Sequence, residues 1–236
     1  MRTPRISLIM TRPARANTQF IDQLSEDMQA RLDIVESPLI NVVSVRADYA
    51  VGPDESVIFS SANGVRHAPA GRDRRAFCVG HATTKTAHNA GWHAIFAGET
   101  AEALVVFLTA YPIRSHIWHL AGRHTRGEIA ETLNAQGISA TRITTYDQTR
   151  LPLTDQAIEV LGGSDPVVVP LFSPRTAVQF VQECPKTARP HVVALSEAVA
   201  EPLAHFKLKT LDISSRPTAA EMICSLEKTV ARISLG

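Results

Sequence analysis

Small hydroxyl residues, glycines and arginines recur at short breaks that follow apolar runs in this chain. Thr11-Arg12-Pro13 follows one run, Ser60-Ser61-Ala62-Asn63-Gly64 a second, and Gly80-His81-Ala82-Thr83-Thr84 a third. Gly122-Arg123-His124-Thr125-Arg126, Ser173-Pro174-Arg175 and Ser196 occupy comparable places farther on. Backbone N–H groups at a helix start carry partial positive charge and accept anions, and Ser or Thr hydroxyls extend that donor set. Arg12, Arg123, Arg126 and Arg175 add groups that grip a carboxylate or phosphate through two parallel hydrogen bonds. The chemistry implied is recognition of a small polyanion. Any one of these loops is also what an α/β protein uses for capping and turns. Six of them on one edge point to binding. Arg126 adds to this, because a cation at a helix start opposes the helix dipole and suits a ligand contact better than a cap.

Such loops need a scaffold that gathers them, and the chain supplies it by repeating itself. Val57-Ile58-Phe59-Ser60-Ser61-Ala62-Asn63-Gly64-Val65 runs apolar, breaks into small polar residues and turns helical. Val168-Val169-Pro170-Leu171-Phe172-Ser173-Pro174-Arg175-Thr176-Ala177-Val178 does the same. The sequels correspond too, with Phe77-Cys78-Val79-Gly80 matching Val192-Val193-Ala194-Leu195, and Thr100-Ala101-Glu102 matching Thr218-Ala219-Ala220-Glu221. Self-similarity over this length argues for two related units, with a ligand cleft between them.

Apolar runs predict strands over residues 6–10, 33–35, 39–45, 56–59, 76–79, 92–96, 116–120, 138–143, 167–171, 191–195 and 208–213. Helical periodicity predicts helices over 15–32, from 62, and over 81–90, 100–110, 126–136, 155–161, 175–183, 197–206 and 217–233. Thr154 and either Pro217 or Thr218 are placed to start helices, and Gly137 to stop one. The segment 144–152 is polar and reads as a boundary. Strict alternation of strand and helix means parallel sheets covered on both faces. The fold class is therefore α/β, with two doubly wound parallel-sheet domains related by an internal repeat. The second unit has too few strands unless the N-terminal strand and helix join it. Residues 1–37 with 150–236 then form a discontinuous domain, 41–145 an inserted one, and the chain crosses near 38–40 and 146–149.

Composition excludes several classes. With 236 residues, 44% hydrophobic residues and a net charge of +1, the chain is neither disordered nor built to coat nucleic acid. It has no apolar stretch of the ~18 residues needed to span a membrane, and its first ten residues lack a signal-peptide profile. Cys78, Cys184 and Cys224 are isolated and odd in number, which fits core residues in a reducing compartment. Cytoplasmic residence is expected. Neither a Gly-x-Gly-x-x-Gly nor a Gly-x-x-x-x-Gly-Lys-Ser/Thr sequence is present, so nucleotide cofactors lack support. A Gly-x-Ser-x-Gly elbow is absent as well. His116 and His119 sit three apart on a predicted strand, which turns them to opposite faces and argues against a shared metal.

The succession of these motifs resembles the uroporphyrinogen-III synthase family. The resemblance rests on Thr11-Arg12-Pro13, Phe59-Ser60-Ser61-Ala62-Asn63-Gly64-Val65, Val79-Gly80-His81-Ala82-Thr83 and Leu120-Ala121-Gly122 with Arg126. It continues through Gly137, Thr145-Tyr146-Asp147, Phe172-Ser173-Pro174 and Pro217-Thr218, and so covers nearly the whole chain. It implies two α/β domains joined by a two-stranded linker, and a lyase that needs neither metal nor organic cofactor. The implied reaction takes hydroxymethylbilane, expels its hydroxyl as water, inverts the last pyrrole ring through a spiro intermediate and yields uroporphyrinogen III. A monomer acting on a linear tetrapyrrole, without nucleic acid or membrane, is expected.

By the same resemblance Tyr146 matches the family's active-site tyrosine, which assists departure of the hydroxyl. Its other reading is a ring packed at a crossing between domains. Ser60, Ser61, Thr83 and Ser173 match hydroxyl positions of the family's cleft, and Arg12, Asn63, Gly64, Gly122, Arg126, Pro174, Arg175, Ser196 and Thr218 complete the expected substrate-binding set. Two departures stand out: Ser196 and Val199 where the family shows Gly and a Thr-containing helix start, and Ser61-Ala62-Asn63 in place of Ser-Pro-Arg. They leave open a non-catalytic tetrapyrrole- or polycarboxylate-binding module on the same scaffold.

Overall fold

A computed structural model describes residues 5–111, 113–124 and 127–235. From the N-terminal side come β1 (Ile6–Met10), α1 (Ala14–Ile21), α2 (Glu26–Arg31), β2 (Leu32–Glu36) and β3 (Ile40–Ser44). The middle of the chain forms β4 (Ser56–Phe59), α3 (Ala62–Arg66), β5 (Arg75–Cys78), α4 (His81–Asn89) and β6 (His93–Phe96). It continues with α5 (Ala101–Ala110), β7 (Ile117–Gly122), α6 (Ile129–Ala135) and β8 (Ala140–Arg150). The remainder is α7 (Asp155–Gly162), β9 (Val167–Leu171), α8 (Pro174–Glu183), β10 (His191–Ala194), α9 (Glu197–Ala200), β11 (Thr210–Ile213) and α10 (Ala219–Leu235).

Long-range contacts group the chain into two compact units, Met1–Asn41 with Arg150–Gly236, and Val42–Thr149. The strand order is β11-β10-β9-β1-β2 in the first sheet and β3-β8-β7-β4-β5-β6 in the second. Pairing is parallel throughout β11-β10-β9-β1-β2 and throughout β8-β7-β4-β5-β6. With β3 set aside, the two orders correspond strand for strand, β9, β10, β11, β1 and β2 standing where β4, β5, β6, β7 and β8 do. The repeated words of the sequence are thus a repeated five-stranded sheet, and the doubly wound α/β class holds. β3 adds to the outside of β8: Leu151 N bonds Leu39 O and Val45 N bonds Thr145 O, each at 2.9 Å, so this pair runs antiparallel. The chain passes between the units along these two strands.

Each sheet is covered on both faces, as parallel sheets require. In the second unit Ile58, Phe77 and Ile117 pack with Leu104, Leu108 and Leu133 of α5 and α6. Val57, Phe59 and Leu120 pack on the other face with Val65 of α3 and Ala87 of α4. In the first unit Leu8, Met10 and Val168 meet Phe20, Met28 and Leu226, while Ile9, Val169 and Leu171 meet Leu161 and Phe180. Burial of one such large side chain stabilises by roughly 1.5–3 kcal/mol, so these four clusters hold the strand ends in place.

Three elements differ from the sequence expectation, each for a local reason. The helix expected over 15–32 is two helices, because Ser25 restarts the coil by accepting from Met28 N at 3.2 Å. Phe20, Leu24 and Met28 still enter one cluster, so the apolar stripe hides the break. The polar segment 144–152 is mostly strand, since β8 continues to Arg150 beside β3. The helix expected over 197–206 ends at Ala200 and gives way to a 3₁₀ turn, Glu201–Leu203, at Pro202, which has no N–H to continue it. Among the described residues, no helix is long and apolar enough to cross a membrane.

Candidate functional site

In each sheet the strand order doubles back once, between β4 and β7 in the second unit and between β1 and β9 in the first. Open α/β sheets bind ligands beyond the carboxyl ends of their strands at such a reversal. Most of the residues selected from the sequence lie on the loops at these two places. Arg126 lies outside the described residues, and α6 starts at Ile129, after Gly127 at φ +83°.

In the second unit, Ser60 and Ser61 follow β4 and send their hydroxyls to different partners. Ser60 Oγ lies 3.1 Å from His119 Nε2, and Ser61 Oγ lies 2.9 Å from Tyr146 Oη. Ser61 also caps α3, accepting from Gly64 N at 3.3 Å. A β-bulge sets up the second contact. The β7–β8 register runs Ala121↔Thr144 and then Gly122↔Tyr146, so Thr145 is the extra residue. A bulge of this kind re-aims the next side chain. Tyr146, 6% exposed, accordingly lies against Gly122, where a Cβ would come within 2.6 Å of its ring. The His67 ring stacks on the Tyr146 ring at 5.4 Å between centroids. Burial, then Arg66, lowers the His67 pKa, so this ring is neutral at pH 7.

Gly64 and Asn63 have local explanations. A Cβ on Gly64 would sit 2.6 Å from Leu120 O, so a glycine lets α3 approach β7. Asn63 Oδ1 accepts from Arg66 Nη1 at 2.8 Å. Thr83 is buried in α4, one strand over. Three further residues at this sheet end were not among the site residues selected from the sequence. His119 is 1% exposed, and burial, then Arg142, pulls its pKa down to about 4. Arg142 stands opposite His119 in the β7–β8 register and donates through Nη2 to Gly122 O at 2.6 Å and Arg123 O at 3.1 Å. Asp147 accepts from Arg123 Nε at 2.7 Å. Burial acts to raise the Asp147 carboxyl, but Arg123, Gln148 N and His124 outweigh it and the pKa falls.

In the first unit Arg12 follows β1 and lies over the Phe172 ring at 4.2 Å, with Phe172 held edge-on by Phe20. Its backbone N donates to Asn17 Oδ1 at 3.1 Å, and Asn17 Nδ2 in turn donates to Met10 O and Glu36 Oε2. The β1 loop is thereby fixed beside the end of β9. There Ser173 caps α8 by accepting from Thr176 N at 3.1 Å, Pro174 opens the helix, and Arg175 follows. Ser196 precedes α9 without a side-chain capping bond, and Thr218 Oγ1 accepts from Glu221 N at 3.3 Å ahead of α10. These two sit beyond β10 and β11, away from the reversal.

The cavities only partly coincide with this map. One of about 370 Å³ is lined by Arg123, Gly127, Glu128, Glu131 and Arg142, next to the second unit's reversal. Another, of about 390 Å³, lies in the first unit beside Pro166, His191 and Lys209, at the amino ends of its strands. That end carries none of the selected loops, and the carboxyl-end loops are the better guide to a ligand. Among the described residues, no three of His, Cys, Asp and Glu converge as metal ligands would.

A sequence profile described as uroporphyrinogen-III synthase HemD matches residues 22–224. Among solved structures the chain is similar to the uroporphyrinogen-III synthetase of Helicobacter pylori, with a TM-score of 0.65 and 14% identity over 96% of this chain and 99% of that one. It is also similar to a mutant uroporphyrinogen III synthase of Thermus thermophilus, with a TM-score of 0.51 and 13% identity over 96% of this chain and 99% of that one. At such identities the likeness concerns the fold. No curated protein matches the chain.

Proposed function

The chain belongs to the uroporphyrinogen-III synthase family, and from that membership we infer that it closes hydroxymethylbilane to uroporphyrinogen III. The carrying observation is the profile match over residues 22–224. The donor-rich loops at both sheet reversals support it, because the substrate is a polycarboxylate with acetate and propionate arms.

The reaction asks little covalent chemistry of the protein. Pyrrole nitrogen electrons expel the terminal hydroxyl, which leaves as water, and the chain end closes with inversion of the last ring. The main contribution is orientation, which converts an unruly cyclisation into one product. In this reading Arg12, Arg175, Ser60, Ser173 and the neighbouring backbone N–H groups hold carboxylate arms. Tyr146 donates a hydrogen bond from Oη to the departing hydroxyl, which a phenol of ordinary pKa near ~10 does without ionising. The Ser61 contact at 2.9 Å and the Gly122 wall fix the phenol for that task.

In this reading the protein acts as a monomer in the cytoplasm, and the three free cysteines fit the reducing compartment. Its domains are residues 1–37 with 150–236 and residues 41–145, joined by linkers near 38–40 and 146–149; the division into compact units supports those limits. The test is to supply hydroxymethylbilane and resolve the products. Type III isomer is expected, and only the spontaneously formed type I isomer would overturn the enzyme and leave a binding module.

A further inference from the structure

His119 and Arg142 belong to no step of the reaction as described, yet both carry an unmet polar atom. His119 Nδ1 and Arg142 Nε are buried without a hydrogen-bond partner among the described residues. The two residues face each other across the β7–β8 ladder, His119↔Arg142, so their side chains share one face of the sheet. The same face carries Ile58, which registers with His119, and Ser60 lies two residues beyond Ile58. Arg142 cannot turn away, because its Nη2 is spent on Gly122 O and Arg123 O.

An imidazole has two neutral forms, and the hydrogen bond at one nitrogen fixes the role of the other. His119 Nδ1 and Arg142 Nε do not bond each other, but Arg142 on the facing strand is near enough for its charge to act on the His119 ring. That cation favours a bare Nδ1, whose lone pair it attracts and which one water can join to Nε, over an Nδ1–H that would add a second buried donor with nothing to accept it. The proton must then reside on Nε2, 3.1 Å from Ser60 Oγ. The imidazolium is disfavoured by the same burial and the same arginine, which hold the pKa at about 4.

We propose that Arg142 and His119 set the direction of the Ser60 hydroxyl: His119 donates through Nε2 to Ser60 Oγ, which turns the serine proton outward toward a substrate carboxylate. Here His119 is a positioning residue, and the proposal rests on the reading of Ser60 as a substrate contact. The opposite tautomer would take the serine proton for Nε2 and present only lone pairs outward, which repel a carboxylate. Ser60 is thereby made a committed donor at neutral pH. The neighbouring Ser61, whose partner Tyr146 both donates and accepts, carries no such commitment.

The first test uses the free full-length protein, with ¹⁵N-labelled histidine and a long-range proton–nitrogen correlation spectrum at pH 7. A protonated Nε2 and a bare Nδ1 at His119 are expected; a protonated Nδ1 or an imidazolium overturns the proposal whatever the protein catalyses. The second test is kinetic. H119L is expected to raise KM for hydroxymethylbilane about tenfold with little change in kcat, as for loss of one hydrogen bond to a charged group. H119Q, whose amide reaches the Nε2 position with a donor, restores most of that loss, and in the Ser60→Ala background both changes lose their effect. Equal KM for H119Q and H119L in the presence of Ser60, or a full effect in its absence, overturns the proposal. Failure of the enzyme reading is seen separately, as type I product from the unmodified protein.

Discussion

Ser61 Oγ and Tyr146 Oη stand 2.9 Å apart although 85 positions separate them in the chain. Ser60, one residue earlier, points its hydroxyl the other way, to His119. Strand alternation turns successive side chains to opposite faces, so consecutive serines at the end of β4 serve different partners. The bulge at Ala121/Gly122 makes the second partnership, since an unbroken β7–β8 register would set Tyr146 opposite Arg123 instead of Gly122. One sheet end thus holds two hydroxyls, each on a buried ring.

Tyr146→Phe removes the phenol and keeps the ring. Turnover of hydroxymethylbilane to the type III isomer is expected to fall about tenfold or more, the worth of a hydrogen bond made to a departing group. Stability should drop by only about 1 kcal/mol, since Ser61 retains Gly64 N as a donor to its oxygen. Initial rates and urea midpoints measured on one preparation separate the effects. Unchanged turnover would return Tyr146 to a packing role.

Gly122→Ala tests the wall behind that phenol. The new Cβ would lie 2.6 Å from Tyr146 Cζ and 2.7 Å from Cε2, closer than packed atoms tolerate, and the ring has little room because it is buried. Overpacking of this kind costs about 1–3 kcal/mol and displaces the ring. A lowered melting temperature together with lower kcat is expected. Full activity in the alanine variant would mean that the tyrosine's position is immaterial to the chemistry.

Much of this arrangement is legible in the sequence, and the unreadable parts have physical reasons. Apolar runs such as Val57-Ile58-Phe59 and Val167-Val168-Val169 announce buried parallel strands because both faces are covered. The repeated run into Ser60-Ser61 and Ser173-Pro174 places two loops of the candidate site. The break at Ser25 is masked because Phe20, Leu24 and Met28 keep one stripe across it. β8 is disguised by Thr144, Thr145, Asp147, Gln148 and Thr149, polar residues that a two-sided pairing with β7 and β3 tolerates. His119 and Arg142 meet only through strand register, 23 positions apart, and a bulge at Gly122 leaves no mark on composition or periodicity.

Arg12→Ala probes the first unit's reversal. Arg12 is partly buried over Phe172, and burial lowers its pKa without removing its charge at neutral pH. A contact of this type contributes about 0.5–1 kcal/mol to stability, so the fold should barely notice the change. KM for hydroxymethylbilane should rise about tenfold, as for one lost bond to a carboxylate. A variant that loses stability and keeps its KM would place Arg12 in packing alone.

His119 makes stability depend on acid in a defined window. Burial, then Arg142, pulls its pKa down to about 4 in the folded chain, from the ordinary imidazole value of 6.5. As pH falls through 6.5 the unfolded chain takes up a proton that the folded chain refuses, so the favourable contribution is complete above about pH 6.5. It is lost between 6.5 and 4, and below 4 both states are charged and the difference stays constant. The shift corresponds to about 3 kcal/mol. Other groups titrate in the same range, so the comparison is with H119Q, which has nothing to protonate. Urea unfolding from pH 7.5 to 4 should show the unmodified protein losing about 3 kcal/mol more than H119Q. Parallel curves would mean that the imidazole is hydrated and charges freely, contrary to its burial and to the orphaned Nδ1.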